Sequence, residues 1–249
     1  MRFLKCALVV LTLVIMSPSL KAAESCSVLF SKDSLHVSAL VQKNKFVTSR
    51  DLSEYKSILH QDFADSLKKL GPTQHWIDLG AGKANAQIEY LKSFESPLMA
   101  PQATAVAYKL DRWFSPPKLQ GKLMIREGAF ELQATSTWKK ADLITDLFGV
   151  ISYTPALHSS LQKIVDLLNV QGELFIYTTP YLTEFRTAAG SFKLRDFLSS
   201  IDGLRVEGDH GSLKVIKEKE QVLIPELKLL RFRDEAPPSR VFQVLEFDL

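Results

Sequence analysis

Between His75 and Thr178 short apolar runs alternate with helix-patterned stretches, and that alternation restricts the possible folds more than any other feature of the chain. Strands are predicted over His75–Leu79, Ala103–Leu110, Lys122–Glu127, Asp142–Asp146 and Glu173–Thr178. Helices are predicted over Ala84–Phe94, briefly around Arg112–Phe114, and over Leu157–Leu168. Short apolar strands joined by helices need both faces covered, so the expected fold class is α/β, a three-layer αβα arrangement around a doubly wound, mainly parallel sheet. After Pro180 the pattern changes. Phe192–Ile201 reads as a helix, and LRVEG, LKVIKEKE, VLIPELKLLRF and VFQVLEF then follow with little helix between them, which predicts an antiparallel C-terminal finish.

The N-terminal side divides in two. Residues 1–23 carry Arg2 and Lys5 and an apolar run from Ala7 to Met16, and small residues follow at Ala22, Ala23 and, just beyond, Ser25, the pattern of a cleaved secretory signal peptide. The run is far short of the roughly 20 apolar residues that span a bilayer, so no transmembrane span is expected after cleavage. The protein is expected to be exported, periplasmic or secreted. A lipidated Cys26 is a lesser alternative, because Glu24 stands where that motif takes a small or apolar residue. Residues 24–71 form an extension in which Ser27–Phe46 is weakly patterned. Thr48–Leu70 reads as one helix, with Thr48 and Asp51 as a capping box, Leu52, Tyr55, Ile58, Leu59, Phe63, Leu67 and Leu70 on its apolar face, and Gly71–Pro72 as the stop.

Cleavage changes the charge. The full chain of 249 residues has 31 Lys plus Arg against 28 Asp plus Glu, and Arg2, Lys5 and Lys21 leave with the leader while no acid does. A mature chain with no net charge lacks the broad cationic surface that drives counterion release, so a nucleic-acid partner is not expected. Cys6 also leaves, so Cys26 has no intrachain disulfide partner. The residues left are enough for one well-buried domain over 72–249.

In an open parallel sheet the ligand lies beyond the C-terminal strand ends, where Gly80 and Gly82 fall. Glycine permits positive φ and close approach of a ligand to the main chain, and the helix that follows offers free N–H groups. A tight turn with no ligand is the plain alternative. A dinucleotide fingerprint needs a third glycine where this chain has Asn85. Asp78, two residues before the first glycine, would repel a pyrophosphate, so the expected ligand carries positive charge.

The segment DLGAGKA at Asp78–Ala84 resembles the first motif of the class I S-adenosylmethionine-dependent methyltransferases, an acid followed after one residue by glycines at alternate positions, with Ala84 in place of the last glycine. The resemblance covers residues 72–249 and is strongest over 75–179. It implies a Rossmann-like fold, S-adenosylmethionine as cofactor, an unidentified methyl acceptor as partner, and no metal. By the same resemblance Asp78, Gly80 and Gly82 form the cofactor turn, and Asp111 in AVAYKLD holds the ribose hydroxyls. Asp146 then ends the fourth strand beside the methyl donor. In REGAFEL, Ala129 occupies the slot of an acid near the adenine amino group, so Glu127, Phe130 or backbone must supply that contact. DLFG replaces the tetrad of the amino-methyltransferases, which argues against an adenine or glutamine methylase.

A sulfonium is already activated, so alignment and exclusion of water carry most of the chemistry, and a base matters only for a poor nucleophile. Asp146 and Tyr153 are the catalytic candidates, with His158 behind them. Three readings stay open: an exported methyltransferase, an exported module that keeps the fold without turnover, and an intracellular enzyme whose leader is misread. An aminopropyl transferase of the spermidine-synthase kind is more distant, since its first motif is richer in glycine.

Overall fold

A computed structural model of the chain describes residues 49–110, 117, 119–179, 182–209, 211–233 and 239–245. The signal peptide, the extension up to Thr48, the short helix around Arg112–Phe114, and Asp111 lie outside the described residues.

The strands β1 (His75–Leu79), β2 (Gln102–Ala107), β3 (Leu123–Glu127), β4 (Ala141–Leu147) and β5 (Leu168–Tyr177) pair in parallel in the order β3-β2-β1-β4-β5. The order reverses between β1 and β4, and this makes a topological switch point beyond their C-terminal ends. A hairpin of β8 (Leu204–Gly208) and β9 (Ser212–Lys217) then completes the sheet, with β9 antiparallel to β5. The doubly wound sheet with an antiparallel finish is therefore present.

The finish is divided, which the sequence reading did not foresee. The strands β10 (Leu227–Arg233) and β11 (Ser239–Val244) leave the main sheet and join β6 (Thr183–Thr187) and β7 (Gly190–Lys193) in a four-stranded sheet of order β10-β11-β6-β7, with β11 parallel to β6. Phe192 therefore belongs to a strand, and the predicted helix over Phe192–Ile201 shortens to Leu194–Ser199. Stacked rings join that helix to the second sheet: Phe185 lies 4.2 Å from Phe197 at 4°, and 6.0 Å from Phe242.

The helix expected over Thr48–Leu70 is two helices, α1 (Leu52–Ile58) and α2 (Phe63–Lys68). The capping box is Asp51 with Glu54, one turn later than Thr48 with Asp51: Asp51 accepts the Glu54 N–H at 2.8 Å, and Glu54 accepts the Asp51 N–H at 2.8 Å. At the break, Asp62 turns to Lys214 of β9 at 3.0 Å, and the same ammonium lies 2.9 Å from Glu173 of β5. Gln171 and Gly172, the expected turn before the fifth strand, form a bulge inside β5, where the register shifts between Ala141 and Leu143 and Gln171 takes φ 62°.

Strand parity assigns the two faces of the sheet. Ile77, Leu79, Ile144, Leu174 and Ile176 face α5 (Leu157–Leu167; the intervening Val150–Tyr153 is α4), whose Leu161, Ile164 and Val165 complete that core. Trp76, Leu143 and Phe175 face the other way, against Tyr55 and Leu59 of α1, Phe63 and Leu67 of α2, and Tyr90 of α3 (Asn85–Lys92). Phe63 and Trp76 are fully buried, worth roughly 1.5–3 kcal/mol each for their apolar area.

Candidate functional site

The switch point is built from the turn after β1 and the turn after β4. Gly80, Gly82 and Ala84 take φ of 138°, 53° and 57°, so every second residue of the turn adopts a conformation that glycine tolerates best. Ala84 does so as a buried alanine, which explains why a glycine suits that place. The N–H groups of Gly80 and Ala81 both donate to the Val106 carbonyl at 3.0 Å, which ties the turn to the end of β2. Ala84 is the N-cap of α3 and supplies no side-chain cap, so the first-turn N–H groups of that helix stand at the strand ends without one.

Gly149 closes the other side. A Cβ there would lie 1.6 Å from the Leu79 carbonyl oxygen, and one on Gly80 would lie 2.7 Å from Gly149 Cα. The two turns touch glycine to glycine. Phe148, at φ 50°, turns its ring onto Tyr177 at 5.0 Å, and the Arg50 guanidinium lies 5.5 Å above it.

Asp78 is wholly buried beneath this turn. Its Oδ2 accepts from the Tyr55 hydroxyl at 2.7 Å and from the Gln87 amide, and its Oδ1 accepts from Thr145 Oγ1 at 2.8 Å, while Trp76 Nε1 donates to Thr145 Oγ1 at 2.9 Å. Burial pushes the Asp78 carboxyl up to about 6, although the donors from Tyr55, Gln87 and Thr145 pull the other way. Burial, the Asp78 charge and the bond to it together push the Tyr55 hydroxyl well above its usual range. The carboxylate expected to face a cationic ligand is thus engaged with protein donors.

Asp146 lies on the opposite face of the sheet, since its strand neighbours Thr145 and Leu147 point toward α1. It accepts the N–H groups of Gly149 at 3.1 Å and Ile151 at 2.9 Å and so caps α4. Burial pushes it up to about 7 against those two bonds, with the Asp78 charge adding and Arg240 opposing. Arg240 of β11, 1 % exposed, donates to the carbonyls of Ile151 (2.5 Å) and Thr154 and to Thr183 Oγ1 at 2.7 Å. Burial lowers its guanidinium to about 10. A carboxyl that titrates near neutrality would suit a general base, yet both oxygens of Asp146 are occupied and it is sealed from solvent.

The other predicted residues are placed as follows. Glu127, at the exposed end of β3, accepts the Leu110 N–H at 3.0 Å and so fixes the backbone just before Asp111. Ala129 follows Gly128 (φ 115°) and starts the 3-10 turn Phe130–Leu132; Phe130 is buried in the core. Tyr153 ends α4, and burial raises its hydroxyl above the usual range, with Arg50 opposing, so it stays protonated. His158 Nδ1 lies 3.0 Å from the Pro225 carbonyl and serves as a structural contact. Gln87, Thr145, Gly149 and Arg240 were not singled out from sequence, and Tyr55 was read only as part of an apolar helix face. Among the described residues no group of three His, Cys, Asp or Glu side chains could hold a metal, and no helix is long and apolar enough to cross a membrane.

No family model and no curated protein matches the chain. Solved structures do resemble it. The plantazolicin methyltransferase BamL in complex with a desmethylPZN analog and SAH is 14% identical, with a TM-score of 0.41, over 58% of this chain and 51% of that one. Geranyl diphosphate methyltransferase in complex with GPP and sinefungin is 14% identical, TM-score 0.37, over 51% and 44%. An rRNA methylase from Streptococcus thermophilus is 12% identical, TM-score 0.39, over 64% and 96%. The matched part is about half the length of the first two. At that identity and overlap the likeness carries nothing about chemistry.

Proposed function

We propose that the protein is an exported S-adenosylmethionine-dependent methyltransferase acting on an unidentified acceptor. The observation that carries this reading is the Gly80–Ala84 turn, three alternate residues at positive φ leading into the uncapped α3 at the switch point. The N–H groups of Gly80, Ala81 and Ala84 are bonded within the fold, so it is the first-turn N–H groups of α3 that suit the carboxylate of an amino-acid moiety, since helix N-termini favour anions. Gly82, at φ 53°, carries no side chain where the cofactor would approach, and Asp111 would take the ribose hydroxyls. The bound cofactor supplies an electrophilic methyl group on a sulfonium. The chain's part is to hold and align it and to exclude water. An ammonium group at Asp78 would have to displace one of its present donors, of which the Tyr55 hydroxyl and the Gln87 amide come from helices and only Thr145 from the sheet.

A second reading, an exported non-catalytic module that keeps the fold, is favoured by the glycine-to-glycine contact of Gly80 with Gly149 and by the lack of an acid at Ala129. Incubation with S-adenosylmethionine labelled in the methyl group, in the presence of envelope and secreted extracts, separates the two. Enzyme transfers label to an acceptor, and a module retains the label on the protein without transfer. Export is tested by intact mass after expression with the native N-terminus in a Gram-negative host. The expected product outside the cytoplasm lacks about 22–25 residues. A full-length cytoplasmic chain contradicts export.

A further inference from the structure

The β2–β3 side of the main sheet is covered differently from the rest. Among the described residues the connection from β3 to β4 contains the 3-10 turn Phe130–Leu132 and then runs irregularly through Thr137–Lys139. A hollow of about 120 Å³ lies against the strands there, lined chiefly by His75, Thr104, Lys122, Arg126, Trp138 and Lys139. His75 and Gln102 open β1 and β2, so the hollow reaches the end of those strands opposite to the Gly80–Ala84 turn.

The charged side chains that line it are basic. An acid is bonded to one lining residue, Asp142 accepting the His75 N–H at 2.9 Å. Lys122 donates to the Ala100 carbonyl at 2.7 Å and Lys139 to the Thr73 carbonyl, so both meet neutral oxygen. The Arg126 guanidinium stacks 5.5 Å from the centre of the Trp138 ring, which is held in turn by Phe130 at 6.2 Å. Arg126 Nε is closed off from solvent and has no acceptor. A donor so placed carries an unrecovered desolvation cost. His75 is tied down, with Nδ1 3.0 Å from the Lys139 carbonyl and Nε2 2.9 Å from Thr104 Oγ1.

A stacked guanidinium is oriented in advance and offers its edge to a planar or tetrahedral oxyanion, which it binds through paired N–H groups. The volume decides the size of ligand. It equals the share of a few water molecules at about 30 Å³ each, and falls below the roughly 300 Å³ at which organic-ligand pockets begin. We propose that this hollow is a binding site for a phosphate-class oxyanion, free or as the terminal group of a small ester, with Arg126 as its main ligand and Lys122 and Lys139 supplying the surrounding field. The site is independent of the methyl-transfer reading.

The test is calorimetric titration of the full chain with inorganic phosphate and, separately, methyl phosphate, at constant ionic strength against a chloride control. The expected result is saturable binding that weakens at least about tenfold in Arg126→Gln and less in Arg126→Lys. Binding of inorganic phosphate alone assigns a free ion, and binding of both admits an ester. If Arg126→Gln does not fold, Lys139→Gln, on an irregular segment, carries the comparison with an expected weakening of about threefold. Absence of saturable binding to the wild type, or unchanged affinity in folded variants, overturns the proposal.

Discussion

The Tyr55 hydroxyl of α1 donates to Asp78 Oδ2 at 2.7 Å, and this bond joins the segment preceding the sheet to the acid at the end of β1. Both groups are buried, so the bond has no water to replace it. Tyr55→Phe leaves the ring packing of α1 in place and removes one of three donors from the carboxylate. The expected loss is about 1–3 kcal/mol in urea unfolding, as for a buried hydrogen bond to an ionisable acceptor. The Asp78 carboxyl also moves further up, because that donor holds it down. Unchanged stability would mean that Asp78 finds another donor.

Asp78 and Asp146 set a pH dependence. Each has a folded pKa, about 6 and about 7, above the ordinary 3.8, so the folded state binds the proton more tightly. Their contribution to stability is fully present below about pH 4 and is lost as pH rises through about 6 and about 7. Each tenfold of proton affinity is worth about 1.4 kcal/mol, so the decline amounts to a few kcal/mol for each of the two groups. Asp146→Asn should flatten the upper part of this decline in unfolding curves taken between about pH 4 and pH 8. Identical slopes in wild type and variant contradict it.

Gly149→Ala places a methyl group 1.6 Å from a backbone carbonyl, which cannot yield as a side chain would. A loss of about 2–4 kcal/mol is expected from overpacking. Gly71→Ala, where the nearest atom is Gln74 Oε1 at 3.8 Å, should stay within about 0.5 kcal/mol of wild type. Equal midpoints for the two variants would refute the glycine-to-glycine packing.

Much of the main sheet was legible because its strands are apolar throughout or nearly so, and Trp76, Ile77 and Leu79 in one short run leave little choice. The second sheet was less so. Its β6 alternates Thr183, Phe185 and Thr187 with Glu184 and Arg186, and its partner β11 lies more than fifty residues along, a pairing that no local pattern announces. The break between α1 and α2 was hidden because Leu59 and Phe63 keep helical spacing across it, while Asp62, which leaves the helix for Lys214, looks like any surface acid. The positions of Asp78 and Asp146 at strand ends were readable. Their opposite faces follow only from register, in which Asp78 pairs with Thr145. Arg240 did leave a signal, a charge at the head of the apolar run of β11, but its partners Ile151 and Thr154 came from tertiary packing.

Arg240→Met removes the donors to Ile151, Thr154 and Thr183 and withdraws the positive charge that favours ionisation of Asp146. A destabilisation of about 2–4 kcal/mol is expected, together with a further rise of the Asp146 pKa. Denaturant unfolding and carboxyl titration by NMR measure both. A variant as stable as wild type would show that α4 holds its place without the second sheet.

The most direct test of the central claim is calorimetry of the mature chain with S-adenosylmethionine and with its demethylated product. Gly82 is the position to vary, since Gly80→Val would drive a side chain into Gly149; valine at φ 53° is itself strained, so binding is compared only in a variant shown to be folded. The account predicts saturable binding of both ligands, weakened at least about tenfold in Gly82→Val when circular dichroism shows that variant folded. No saturable heat with either ligand, or wild-type affinity in the folded variant, would contradict it.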